Sequence, residues 1–341
     1  MDSMKRAIFL ALLVVASTAP RAEDASPQSA TTEPYGIALE GFPYPYPVSF
    51  FPLVQEGETL RMAYMDVPPK GEANGRSVLL LHGRNFPASY WQGAIEALTA
   101  GGYRVIAPDQ IGFNKSSKPA FDLHFDQLAA NTAALLDALN IDQVSIVGHS
   151  MGGMLSVRFA RAYPERVDKL VLVAPIGLED YRLYVPAFPA DKLMEIEQNV
   201  TADSYRNQLM KGYSLTLSED AIAPYVAART GIKDSAEYPR WLRAFVNSAQ
   251  MVWREPVVHE IPRLPQKVLF LMGENDHLAL GRDFAPEPVR GEMGKNVELA
   301  QGLAAKMRDA RVEVFEGIGH LPHLEAPERF NETVLRFLAK S

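Results

Sequence analysis

Three side chains, far apart in sequence, have the types needed for acyl transfer: Ser150, Asp276 and His320. A serine hydroxyl is a weak nucleophile at neutral pH. It needs a base that titrates near neutrality, and the base needs a carboxylate to orient it and to stabilise its charged form. Ser150 sits in Gly148-His149-Ser150-Met151-Gly152-Gly153, directly after the apolar run Val144, Ile146, Val147 and before a helical pattern through Leu155, Phe159 and Ala162. A serine on such a strand-to-helix turn needs strained backbone angles. Side chains at 148 or 152 would collide with the neighbouring strand or helix. The reward is a hydroxyl standing clear at a helix N-terminus, whose partial positive charge favours a developing anion.

Asp276 follows the apolar strand Val268-Leu269-Phe270-Leu271-Met272 and the turn Gly273-Glu274-Asn275. His320 lies in the loop Gly317-Ile318-Gly319-His320, after a strand over 311–315. Both fall where strand ends emerge, the edge at which open parallel sheets carry their sites. His323 competes for the base and Glu274 for the carboxylate; His323 is expected to pack or bond nearby, and Glu274 falls closer to its strand end. His277 and His149 flank site residues and are expected as walls or hydrogen-bonding groups. Attack on a carbonyl creates an oxyanion that needs two N–H donors. One is expected from Met151 and the other from the loop His82-Gly83-Arg84-Asn85-Phe86, at Arg84 or Asn85. His149, Phe86, Trp241 and Phe245 are candidate walls of a substrate pocket.

The positioning elements can be read along the chain. Two strands over 48–55 and 59–67, joined at Glu56-Gly57-Glu58, form a hairpin signal. Buried strands follow at 78–82, 103–107, 144–147 and 169–173, alternating with helical patterns at 88–100 and 125–139. This alternation predicts a mostly parallel α/β sheet covered on both faces. Between about 176 and 262 no buried strand is expected, only helical segments rich in aromatics, among them Tyr181, Tyr184, Phe188, Tyr205, Tyr213, Tyr225, Trp241, Phe245 and Trp253. That stretch is expected to be a helical cap over a core of 48–175 and 263–341, most of its aromatics packing the cap's own interior. A loop at 279–295 and helices at 297–309 and 327–339 complete the reading.

Lys5 and Arg6 precede an apolar run over 7–16 and small residues at Ser17, Thr18 and Ala19, the layout of a secretory signal over 1–22. A flexible, irregular leader over 23–47 is expected next, its Pro- and Tyr-rich part lying over the surface. The apolar run is short for a membrane span, so no stable span is expected once the signal is removed. The 341 residues are 47% hydrophobic and 22% charged, ordinary for a soluble globular protein. A net charge of -7 without a basic cluster speaks against a nucleic-acid surface. There is no cysteine, which excludes disulfides, thiolate metal sites and cysteine nucleophiles. No metal-ligand cluster or phosphate-binding glycine loop is present, so no metal or cofactor is expected, only a small-molecule substrate. Oligomeric state is left open.

Together these pieces resemble the α/β-hydrolase superfamily in its capped branch. They are His82-Gly83-Arg84-Asn85-Phe86-Pro87, Pro108-Asp109-Gln110-Ile111-Gly112-Phe113-Asn114-Lys115-Ser116, the Ser150 motif, Gly273-Glu274-Asn275-Asp276 and Gly319-His320-Leu321-Pro322-His323-Leu324-Glu325-Ala326-Pro327. The order Ser150, Asp276, His320 is the one that fold uses. The resemblance implies a helical cap, a structural turn at Asp109 in which Asn114 replaces a usual glycine, and a loop-bracing role for Glu325. It implies a serine hydrolase acting on carboxylic esters of small or medium apolar molecules, which the N-terminal signal layout makes an exported one. Carbon–carbon hydrolases of ring-fission products and aminopeptidases usually carry a glycine-richer oxyanion loop. The former is the main alternative, and a non-catalytic binding protein on the same scaffold is a further one.

Overall fold

A computed structural model describes residues 35–187 and 189–340. The signal segment, the leader up to residue 34 and Phe188 lie outside the described residues. β1 (Val48–Gln55) and β2 (Glu58–Val67) pair antiparallel, with Gln55 opposite Glu58. Glu56 and Gly57 between them have φ of 49° and 78°. Two left-handed residues make the tight turn whose twist suits a hairpin.

The chain then alternates: β3 (Ser77–Leu81), α1 (Gln92–Ala100), β4 (Arg104–Pro108), α2 (Phe125–Ala138), β5 (Val144–His149), α3 (Met151–Ala162) and β6 (Val167–Val173). A helical insertion follows: α4 (Ala190–Gln198), α5 (Ala202–Asn207), α6 (Glu219–Gly231) and α7 (Tyr238–Arg254). The sheet resumes with β7 (Lys267–Gly273), then α8 (Glu287–Arg290), α9 (Asn296–Ala304), β8 (Ala310–Phe315), α10 (Pro322–Glu325) and α11 (Pro327–Ala339). The eight strands form one sheet in the order β1-β2-β4-β3-β5-β6-β7-β8, antiparallel at β1-β2-β4 and parallel from β4 onward. This is the α/β-hydrolase fold.

Side-chain alternation sorts the core onto the two faces. Leu79, Leu81, Ile146, Leu170, Leu172, Phe270 and Met272 pack with residues of α2, α3 and α9 on one side. Val78, Leu80, Val147, Val171, Val173, Leu269 and Leu271 pack with α1 and α11 on the other. Both faces are covered, so the central strands read as unbroken apolar runs. The parallel strands also bring the segments after β3, β5, β7 and β8 to one rim, where Arg84, Ser150, Asp276 and His320 stand.

Some boundaries moved. α9 stops at Ala304 rather than near 309, because residues 305–309 turn back into β8. The loop at 279–295 holds a 3-10 turn at Arg282–Phe284 and the one-turn α8, short pieces hidden by the surrounding glycines and prolines. Residues 35–47 carry no helix or strand, as expected, but they are not a surface strap. Ile37, Leu39 and Phe42 are buried against Ala228, Ile232, Trp241, Leu242, Phe245 and Val246 of the insertion.

Candidate active site

Ser150 takes φ 55° and ψ -119° at the N-cap of α3. The strain is enforced by close packing. A Cβ on Gly152 would lie 2.2 Å from the Leu81 carbonyl oxygen, and one on Gly148 would lie 2.1 Å from Ser156 Oγ. Strand β3 and helix α3 therefore press on the turn from both sides, the collisions expected from sequence.

Asp276 and His320 are carried by the loops after the neighbouring strands β7 and β8. Those loops touch: a Cβ on Gly273 would lie 1.9 Å from the Gly319 carbonyl oxygen. That approach leaves His320 Nδ1 2.8 Å from Asp276 Oδ2 and His320 Nε2 3.0 Å from Ser150 Oγ. The other carboxylate oxygen, Oδ1, accepts the Leu278 N–H at 3.0 Å. A neutral imidazole that donates from Nδ1 to a carboxylate offers Nε2 as an acceptor to the serine hydroxyl. The three side chains are buried, Ser150 at 5% exposure and the other two at 1%. In so dry a setting each charge–dipole contact counts for more than it would in water.

Backbone donors lie beside the serine, since a Cβ on Gly83 of the loop after β3 would lie 3.2 Å from Ser150 Cβ. Met151 is the first residue of α3, so its N–H has no partner within the helix. Arg84 and Asn85 follow β3 on the facing loop, and among the described residues neither backbone N–H has a protein acceptor. These free N–H groups are the ones expected from sequence to serve an oxyanion, with the second at Arg84 or Asn85.

A chain of hydrogen bonds with forced directions lies behind these groups. The His320 carbonyl can only accept, so His149 Nε2 donates to it at 2.8 Å. His149 Nδ1 then accepts from the Tyr90 hydroxyl at 3.0 Å, and the Tyr90 oxygen accepts the Gly83 N–H at 2.9 Å. Burial, with His320 and His323 alongside, holds the His149 pKa well below the ordinary histidine value, so this relay stays neutral. His82 does similar work at the Asp109 turn, its Nε2 accepting the Gln110 N–H at 3.0 Å. Asn114 adopts φ 46° there, the left-handed angle asparagine tolerates.

The competitors are occupied elsewhere. His323 is wedged between Trp91, at 4.4 Å between ring centroids, and Tyr90, at 4.6 Å. Neither of its ring nitrogens has a partner, and burial pushes its pKa down to about 3. Glu274 accepts the Gly317 N–H at 2.8 Å. His277 is exposed beside the Gly294 carbonyl. Glu325 braces the histidine loop, accepting N–H groups of Gly319, Leu321 and Thr216.

A small cavity of about 40 Å³ opens between the Arg84–Asn85 loop and the insertion, and none of Ser150, Asp276 and His320 lines it. Trp241 and Phe245 line it, with Arg84, Asn85, Tyr225 and Arg229. The other two pocket candidates do not. Phe86 is 1% exposed and stacked on Tyr90 at 5.4 Å, and His149 is tied into the relay at both nitrogens. The Arg84 side chain turns into the insertion, donating to Ser248 Oγ at 2.8 Å and the Phe245 carbonyl at 2.9 Å. Glu197 of α4 lies 3.6 Å from Arg84 and is bonded by Arg229. Arg229 escaped the sequence reading. It follows Ile222 and Val226 on the buried face of α6, so a cation at apolar spacing was the available signal. Tyr90 and Tyr213 were also missed as site residues, since neither stands in a motif or spacing that marks it.

Among the described residues no helix is long and apolar enough to cross a membrane, and no group of three or more His, Asp and Glu side chains could hold a metal. Comparison with known proteins agrees with the geometry. Residues 78–333 match the model of the alpha/beta hydrolase family. A 2-hydroxy-6-oxo-6-phenylhexa-2,4-dienoate hydrolase of Burkholderia cepacia is 30% identical over 283 residues, 78% of this chain and 88% of its own. A 2-hydroxy-6-oxononadienedioate/2-hydroxy-6-oxononatrienedioate hydrolase of Paraburkholderia xenovorans is 31% identical over 303 residues, 85% and 95% of the two chains. The crystal structure of a probable hydrolytic enzyme of Pseudomonas aeruginosa superposes with a TM-score of 0.87 at 40% identity, covering 90% of this chain and 99% of the other. The chain belongs to the alpha/beta hydrolase family.

Proposed function

We propose that this hydrolase cleaves carboxylic esters of small or medium apolar molecules through an acyl-enzyme on Ser150. Oγ attacks the ester carbonyl while His320 Nε2 takes its proton, and Asp276 holds the resulting imidazolium. The oxyanion falls to the N–H groups of Met151 and of Arg84 or Asn85. His320 returns the proton to the leaving alcohol, then takes one from the water that releases the acid. The observation that carries this is the unbroken contact from Asp276 to His320 to Ser150, at 2.8 and 3.0 Å. Residues 176–262 act as a cap in this reading, because a serine at 5% exposure needs the insertion to open before substrate enters. A panel of short chromogenic esters tests it: the wild type should turn over and Ser150→Ala should not, and equal hydrolysis by both would end the claim.

A second reading, hydrolysis of a carbon–carbon bond in a ring-fission product, draws support from the names of the two relatives and from Arg229. Arg84 and Arg229 share the single carboxylate of Glu197, leaving a net positive charge beside the oxyanion loop. Arg229 Nε and Nη1 are buried without a hydrogen-bond partner. An anionic group on the substrate would offset that charge. Turnover of a vinylogous diketone acid, with no simple ester cleaved, would favour this reading over the first.

Export through residues 1–22 is also proposed, on the strength of the basic pair Lys5 and Arg6 and the apolar run after it. Terminal sequencing of protein from the exported fraction should find the chain starting beyond that run. An intact Met1 found only in the cytosol would reject it.

A further inference from the structure

One side chain of the insertion touches both halves of the reaction site. The Tyr213 carbonyl accepts the His320 backbone N–H at 3.0 Å, and its ring meets the His320 imidazole edge-on with centroids 4.9 Å apart. Its hydroxyl accepts from the Asn85 side-chain amide on the oxyanion loop. Tyr213 is 5% exposed, so these contacts are made away from solvent.

The local backbone is unusual. Residues Gln208–Gly212 form a π-helical turn, and the N–H groups of Tyr213 and Leu215 reach back to the carbonyls of Gln208 and Met210, at 3.0 and 3.1 Å. A π-turn accommodates one residue more than an α-turn, and it recurs where a helix must re-aim a functional side chain. Ser214 follows at φ 52°, turning the chain so that Thr216 meets Glu325, which itself holds the histidine loop. The insertion grips the oxyanion loop elsewhere too. The Tyr205 hydroxyl donates to the Asn85 carbonyl at 3.2 Å, and the Arg84 guanidinium is bonded to α7. Tyr213 is the point at which the two grips meet.

We propose that Tyr213 is a positioning residue through which the helical insertion assembles the site, holding the His320 loop with its main chain and ring and the oxyanion loop with its hydroxyl. The inference rests on Ser150 and His320 acting as proposed above, whichever bond is cleaved. Withdrawal of the insertion would release base and oxyanion donor together, so the site is complete only when the insertion is seated.

The test uses the full chain, with Tyr213→Phe, Asn85→Ala and the double variant. Tyr213→Phe keeps the ring and carbonyl and removes only the hydroxyl. Readouts are the rate at which a fluorophosphonate labels Ser150, kcat and KM on the best substrate of the panel, and the melting temperature. Each single variant should lose about 10- to 100-fold in kcat and in labelling rate, the scale of a small misplacement of reacting groups, with KM little changed. The double variant should be no slower than the slower single, because both changes remove one bond. Wild-type rates in Tyr213→Phe, or losses that multiply in the double variant, would overturn the proposal. Should Tyr213→Phe melt early, Asn85→Ala reads the same bond from the other side. Failure of the wild type itself to label at Ser150 would instead strike the hydrolase reading beneath it.

Discussion

Ser150 and Tyr213 reach one site by different routes. Ser150 is fixed mainly by its own strand-to-helix turn, with Gly148 against Ser156 of α3, and by strand β3 packed on Gly152. Its strained angles come from a strand and a helix joined with nothing between them. Tyr213 is fixed by partners remote in sequence, Asn85 on one side and His320 on the other. Gly273 and Arg229 differ in another way: a missing side chain at Gly273 lets two loops touch backbone to backbone, whereas Arg229 is placed by a side-chain ion pair to Glu197 of another helix. The triad sits on the sheet rim, while much of the cavity wall beside it comes from helices of the insertion.

That contrast can be pressed by substitution. At the rim, Ser150→Ala should lower kcat by roughly 10⁴-fold or more, leaving only what binding and the oxyanion donors supply, as steady-state assays of purified protein would read. Asp276→Asn keeps the shape and loses the charge that fixes the His320 tautomer, so a loss of about 10³- to 10⁴-fold in kcat with a small change in KM is expected. Gly152→Ala drives a Cβ into the Leu81 carbonyl, backbone against backbone. Overpacking that cannot relax into a side chain should cost about 3 kcal/mol, visible as a lower denaturation midpoint. On the insertion side, Arg229→Met should act on binding rather than chemistry. It should lower kcat/KM for a carboxylate-bearing substrate by about 10- to 100-fold relative to its neutral analogue. Equal losses on both substrates would leave the arginine a purely structural part.

The smallest effect concerns His323, which belongs to the rim but takes no part in its chemistry. Its folded pKa of about 3 lies below the ordinary 6.5, so the folded chain refuses a proton that the unfolded chain binds. Stability is therefore undiminished above pH 6.5 and falls as pH drops from 6.5 toward 3. His323→Met should flatten that acid limb, retaining up to about 2 kcal/mol more at pH 5 than the native side chain, by denaturant titration at several pH values.

The sequence was most readable where structure is local. The Ser150 turn, the buried strands and the loops bearing Asp276 and His320 could be seen because apolar runs, glycines and the chemistry-bearing residues lie next to each other in the chain. The insertion was readable only as helical. His149 and Phe86 look like pocket walls from their positions beside the site, yet packing against Tyr90 turns both into the interior. Residues 35–47 look like surface because prolines break them up, yet Ile37, Leu39 and Phe42 find an apolar face that only the folded α6 and α7 create. Tyr213 has no signal of its own, since its role depends on a π-turn and on partners that no spacing rule joins.

The central claim is that Ser150 is a nucleophile activated by His320, and covalent labelling tests it most directly. Incubation with a fluorophosphonate, followed by peptide mapping in a mass spectrometer, should place one adduct on Ser150, absent in Ser150→Ala and strongly slowed in His320→Asn. An unlabelled Ser150 in folded protein, or labelling at an undiminished rate without His320, would contradict the account.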